Sequence, residues 1–73
     1  MMPRRIEVRY IRQRTRWKAI LLGDERRISV YGLRPFDAIE SLSKLLEMPA
    51  DRWRPVSTAE KRVVYEERYP LRP

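Results

Sequence analysis

The stretch RWKAILLGDERRISVY, which runs from Arg16 to Tyr31, decides the fold. Apolar and polar side chains alternate on both sides of Gly23-Asp24, a pair that is typical of a two-residue hairpin turn. Alternation with a period of two indicates a strand that has one buried face. The stretch therefore predicts two antiparallel strands, in which the turn places Ala19 opposite Ile28.

A further strand is predicted upstream, because residues 6–11 alternate in the same way. A turn at Gln13-Arg14 would place Tyr10 opposite Trp17. The two hairpins then direct one apolar set to the same face, which a slip of one residue would break up. This set consists of Ile6, Val8, Tyr10, Trp17, Ala19, Leu21, Ile28 and Val30. The agreement predicts a three-stranded antiparallel meander.

A helix is predicted after the meander. Pro35 suits the first helical position, where the missing N–H costs nothing. Apolar residues then recur at helical spacing and predict a stripe that packs on the sheet. The stripe consists of Phe36, Ile39, Leu42 and Leu46. Met48-Pro49 ends the helix, because the residue before a proline avoids helical geometry.

The segment after the helix allows two interpretations. Residues 49–55, around Trp53, are predicted to form a packed loop. Residues 57–60 resemble a helical capping box, whereas alternating branched and aromatic side chains over residues 62–69 favour a fourth strand. The predicted class is therefore α+β. It has a three- or four-stranded antiparallel sheet with one helix on one face, within a single domain of 73 residues.

The junction between the third strand and the helix, residues 32–42, resembles that of HicB-like domains. The matching residues are Gly32, Pro35, Asp37, Ala38 and Leu42. The resemblance covers about residues 5–47 and includes the order of the elements. It implies a β-β-β-α fold and a protein partner, since HicB-like domains are antitoxins that block a small ribonuclease. The proline-aspartate-glycine segment that usually precedes this junction in the family is missing here.

Catalytic and metal-binding residue types are scarce. The chain has no cysteine and no histidine, which excludes disulfides, thiolate catalysis and the commonest general base and metal ligand. Without an activated nucleophile or a glycine-rich phosphate loop, we expect no enzyme activity, no cofactor and no metal site. The sequence shows no signal peptide and no long apolar span, so we expect a cytoplasmic protein. The preference for arginine and the absence of asparagine suit a thermophilic source or a GC-rich genome.

The net charge of +7 is spread unevenly along the chain. Residues 1–18 carry seven basic side chains and only one acidic side chain, Glu7. Such an asymmetry favours anionic partners, which are phosphate backbones, acidic proteins or membrane surfaces. A membrane surface fits least, because the basic segment alternates like a strand and not like an amphipathic helix.

The second face of the predicted sheet collects most of this positive charge. Arg9 would lie directly opposite Lys18, and like charges in that position are destabilising unless an anion relieves them. The predicted nucleic-acid-binding residues are Arg4, Arg5, Arg9, Arg12, Arg14, Arg16, Lys18, Arg27 and Tyr31. The basic side chains would hold phosphates and Tyr31 would stack on a base. We therefore expect binding of DNA or RNA through the sheet face and the first hairpin turn.

Apolar residues on the same face support a different function. Ile11, Ile20 and Leu22 would form an apolar patch there, and such patches are typical of protein contacts. This favours a homodimer or an acidic protein partner, as in a HicB-like antitoxin or a small subunit of a complex. A face that is merely solvated is the third interpretation. The sequence leaves open DNA against RNA and single strand against duplex.

Overall fold

The computed structural model describes residues 3–68 of the chain. Over these residues, five strands form one antiparallel sheet and a single helix packs against it. The strands are β1 (Arg5–Ile11), β2 (Arg16–Leu21), β3 (Ser29–Gly32), β4 (Trp53–Ala59) and β5 (Arg62–Glu67), and the helix is α1 (Pro35–Leu45). The strand order is β3-β2-β1-β5-β4, so β3 and β4 are the edge strands of the sheet.

The predicted α+β class is confirmed, with one strand more than expected. Only residues 50–52 of the predicted loop form a turn, and Trp53 already begins β4. The predicted strand over residues 62–69 corresponds to β5, and Tyr69 lies outside the described residues. The sequence did not predict β4, because Trp53 is its only buried residue. Its side chains therefore show no alternation between buried and exposed positions. Pairing with β5, across a bulge after Pro55, makes it a strand.

The register of the first hairpin is confirmed. Tyr10 pairs with Trp17 as expected, and their rings meet edge to face with centroids 5.5 Å apart. The connection is wider than a two-residue turn, because residues 12–14 form one turn of 3-10 helix and Thr15 follows in the left-handed conformation, at φ 51°. The longer loop gives the same register as a two-residue turn, so the side chains of β1 and β2 lie on the predicted faces of the sheet.

The register of the second hairpin differs from the prediction. Ala19 pairs with Val30 and not with Ile28, a shift of two residues. The cause is a longer loop, in which the Asp24 carboxylate accepts the backbone N–H of Arg26 at 2.8 Å. A hydrogen bond between a side chain and the backbone two residues on stabilises this longer loop, whereas Gly23-Asp24 as a two-residue turn would give a shorter one. A shift of two residues preserves the alternation, so the predicted apolar set still faces the helix.

The core lies between α1 and the face of the sheet formed by β1, β2 and β3. Its buried residues are Ile6, Val8, Ala19, Leu21, Ala38, Ile39, Leu42 and Trp53. The predicted stripe was wrong at Phe36, whose side chain is 54% exposed. Ala38 takes its place in the core, since the helix turns this small residue toward the sheet.

The side of α1 that faces the sheet is determined by the close approach of the helix backbone to Gly32. A Cβ atom at this position would lie 2.4 Å from the backbone nitrogen of Ala38, well inside van der Waals contact. Only glycine therefore lets the end of β3 touch the first turn of α1. This contact directs Ala38 inward and leaves Phe36 outside.

An ion pair on the helix side of the sheet joins the residue that precedes β1 to the last residue of β5. The Arg4 guanidinium donates to both carboxylate oxygens of Glu67, each at 2.9 Å, and lies 5.9 Å from the centroid of the Trp53 ring. Glu67 is buried, and its hydrogen bonds with Arg4 hold the pKa of its carboxyl below the usual value, against the opposing effect of burial. Arg4 thus connects the N-terminus to the last described strand.

We expect Gly32→Ala to lower the free energy of unfolding by about 3 kcal/mol or more, because the added methyl group must push two backbone segments apart. Gly23→Ala is the matched control. A Cβ atom at Gly23 meets nothing within 4 Å, so the only penalty there is its positive φ of 77°, which costs about 1–2 kcal/mol. Urea denaturation measures both changes, and equal losses for the two variants would contradict the close approach.

We expect Glu67→Gln to lower the free energy of unfolding by about 1–2 kcal/mol near pH 7, because the charged hydrogen bonds to Arg4 are lost. The folded-state pKa of Glu67 lies below the unfolded value. The stability it contributes is therefore present above the unfolded pKa and is lost as the pH falls through the folded pKa. The difference between wild type and Glu67→Gln should shrink over that range in urea titrations. Glu40→Gln, at an exposed helical position, should show no such dependence.

Candidate nucleic-acid interface

One face of the sheet has no helix over it in the part of the chain that the structure describes, and we call it the open face. Its side chains come from alternate positions of four neighbouring strands. They are Arg5, Glu7, Arg9, Ile11, Arg16, Lys18, Ile20, Ser29, Tyr31, Arg62, Val64 and Glu66. The apolar members Ile11, Ile20 and Val64 are half-buried, so charged side chains dominate what the solvent meets.

A row of in-register residues crosses the open face. Tyr31 pairs with Lys18, Lys18 with Arg9, and Arg9 with Arg62. We call these residues the basic row. The predicted pairing of Arg9 with Lys18 is confirmed, and Arg62 extends the row to a third cation. Like charges directly opposite one another on a sheet are destabilising, so the row favours an anion above it.

Two glutamates on the open face neutralise part of this charge. The Glu7 carboxylate lies between Arg62 and Arg9, and its Oε1 is 3.5 Å from the Arg9 Nε. The Glu66 carboxylate lies 3.0 Å from the Arg5 guanidinium on β1 and 3.7 Å from the Arg54 guanidinium on β4. Each carboxylate is thus shared by two arginines, and the open face keeps an excess of cations.

Four described cations without a carboxylate partner gather at one end of the open face. Five of the predicted binding cations take part in no ion pair within the described residues: Arg12, Arg14, Arg16, Lys18 and Arg27. The first four belong to the β1–β2 turn and the start of β2, and we call them the turn cluster. Like charges at this density raise the local potential and attract anions.

Tyr31 lies beside the turn cluster. Its side chain is 37% exposed, and the Arg14 guanidinium carbon is 5.0 Å from the centroid of its ring. The Lys18 ammonium is 5.9 Å from the same centroid. Cation–π attraction therefore holds two members of the turn cluster against β3, at the edge of the sheet. Both cations and the ring face the solvent side of the sheet, where a ligand can reach them.

The structure separates the nine predicted binding residues into three groups. Most of them lie together on the open face and its turn: Arg5, Arg9, Arg12, Arg14, Arg16, Lys18 and Tyr31. Arg27 is exposed in the β2–β3 loop, in the left-handed conformation at φ 54°. Arg4 lies on the helix side, where it pairs with Glu67. Sequence reasoning missed Arg62, because nothing in the sequence reveals that β5 pairs with β1.

An open hollow lies where the open face meets the β2–β3 loop. Its volume is about 360 Å³. The floor is apolar, formed by Ile20 and Leu22, while Lys18 and Arg27 stand at the rim. On the loop side, hydrogen bonds from Arg26 occupy the Asp24 carboxylate and lower its pKa, so this acid stays ionised and paired.

Comparison with protein-family models, with curated proteins and with solved structures finds no match to this chain. The described helix is too short and too polar to cross a lipid bilayer. Within residues 3–68, no group of three carboxylate side chains lies close enough together to hold a metal ion.

Proposed function

We propose that this chain binds nucleic acid through the phosphates, with the open face and the adjoining β1–β2 turn as the interface. The observation that carries this proposal is the turn cluster, whose members Arg12, Arg14, Arg16 and Lys18 lack carboxylate partners among the described residues. On the same face, by contrast, Glu7 and Glu66 are each shared by two arginines. A protein that needed charge only for solubility would gain stability by spreading it, since clustered like charges repel.

Phosphate binding relieves the repulsion in the basic row as well. A phosphate placed over Arg9 and Lys18 would interact with both cations at once and would release the counterions condensed on the nucleic acid. Glu7 does not oppose this, because Arg62 and Arg9 already share its charge. The affinity is then electrostatic and tolerant of sequence, as in other phosphate-tracking surfaces.

A protein-interaction module, such as a HicB-like antitoxin or a small subunit of a complex, is the second candidate. It is favoured by Leu33 and Phe36, whose side chains are 67% and 54% exposed at the strand-to-helix junction. Two large apolar side chains next to each other in solvent are typical of a contact with another protein. This junction belongs to the helix side, so a protein partner there would leave the open face accessible.

We expect Arg16→Ala/Lys18→Ala to weaken binding to both duplex DNA and RNA and to lower the salt slope of log K by about 1.4–1.8, since each lost phosphate contact removes about 0.7–0.9. Fluorescence anisotropy at about 50 and about 200 mM salt measures this. Arg34→Ala/Lys44→Ala is the matched control, because it removes two exposed cations at and within the helix.

The control should keep the wild-type slope, and circular dichroism should show both variants folded. Equal slopes for the two double variants would contradict the assignment to the open face. If the wild-type protein binds no nucleic acid at the lower salt concentration, the proposed function is wrong and the protein-interaction module takes its place.

A further inference from the structure

We infer that the open face selects an unpaired nucleic-acid strand over a duplex, and that the hollow beside Ile20 and Leu22 receives one of its bases. This inference rests on the proposed function and specifies its ligand. It depends on three features of the described residues, which are the width of the sheet, the alternation of cations and apolar side chains along β2, and the exposed ring of Tyr31.

The basic row is too wide for the groove of a duplex. It crosses β3, β2, β1 and β5, three strand spacings of about 4.8 Å each, so it spans about 14 Å. The major groove of B-DNA is about 12 Å wide and accepts a helix or a two-stranded ribbon. A sheet of five strands therefore does not fit into the major groove of an undistorted duplex, and on the outside of that duplex it reaches phosphates.

The side chains along β2 change from cationic to apolar within one face. Arg16, Lys18, Ile20 and Leu22 follow one another at alternate positions, so neighbours lie about 7 Å apart. Arg16 and Lys18 suit phosphates, whereas Ile20 and Leu22 suit the faces of bases. In a duplex the base faces are stacked inside, so only an unpaired strand presents phosphates and base faces to one protein surface.

The lining of the hollow combines apolar and cationic side chains, a combination that suits a flat, partly apolar group next to an anion. Its volume of about 360 Å³ exceeds what a single base requires. Leu22 in the floor is 41% exposed, which leaves apolar surface for a base to cover. Arg27 at the rim has no carboxylate partner among the described residues, so it can meet the phosphate of the nucleotide whose base enters.

Tyr31 supplies a stacking surface next to the hollow. It lies two residues from Ser29 on β3, and Ser29 lines the hollow. The backbone positions of Tyr31 and Ser29 are therefore about 7 Å apart along the strand. A base that stacks on the ring takes the place of the Arg14 guanidinium, which then turns to a phosphate. Stacking on an aromatic side chain strengthens single-strand binding by about tenfold or more per base.

The test is fluorescence anisotropy of the full chain with oligonucleotides of about ten nucleotides, at one salt concentration. The probes are single-stranded DNA, single-stranded RNA, the matching duplex, and a DNA strand with abasic sites. We expect the unpaired strands to bind about tenfold or more tightly than the duplex, and the abasic strand to lose most of that advantage. A preference for RNA or for DNA between the two intact strands supports the inference in either direction and identifies the sugar.

Variants of the open face separate base contacts from phosphate contacts. Tyr31→Ala and Leu22→Ser should each weaken single-strand binding about tenfold without changing the salt slope, because neither removes a charge. Phe36→Ala and Leu45→Ser are the matched controls, since they alter an exposed aromatic and an exposed leucine on the helix. Both controls should bind like the wild type.

Equal binding of single strand, duplex and abasic strand, with no effect of Tyr31→Ala or Leu22→Ser, would overturn the inference. The proposed function would survive that result as long as Arg16→Ala/Lys18→Ala still lowered the salt slope. Failure of every probe to bind at low salt would overturn both.

Discussion

The contact between Gly32 and the backbone of Ala38 is the constraint on which the rest of the structure depends. It brings the end of β3 against the first turn of α1 at a distance that no side chain would permit. The helix is thereby fixed over β1, β2 and β3 on one side. Because a sheet has two faces and the described chain supplies one helix, the other face is left to solvent and ligands.

The open face carries the charge that the core side cannot accommodate. Buried positions of a small domain must be apolar or have their polar groups paired, since an unpaired charge there costs several kcal/mol. Strand alternation therefore sends the cations of β1 and β2 to the opposite face, where Arg9 and Lys18 meet in register. Two shared glutamates reduce the resulting repulsion and do not remove it. What remains at the turn cluster is a local excess of positive charge.

Arg4 and Trp53 show that similar residues can serve the fold instead. Arg4 belongs to the same basic N-terminal segment as Arg5, yet alternation places it on the helix side, beside Glu67 and the Trp53 ring. There it joins β1 to β5 and helps to cover the end of the core. Its neighbour Arg5 pairs with Glu66 on the open face. One residue of sequence thus separates an arginine on the helix side from one on the open face.

The sequence by itself determined the three-stranded meander, the helix and the sheet face on which the side chains of β1, β2 and β3 lie. The reason is that the period of two is a local property, which survived even a register shift of two residues. It also placed Arg9 opposite Lys18. Only the tertiary structure decided that residues 53–59 form a strand, that Phe36 points outward and that Arg62 extends the basic row. The strand at residues 53–59 and the place of Arg62 depend on strand pairing between segments, which a local period does not specify. The orientation of Phe36 depends on the close contact between Gly32 and Ala38.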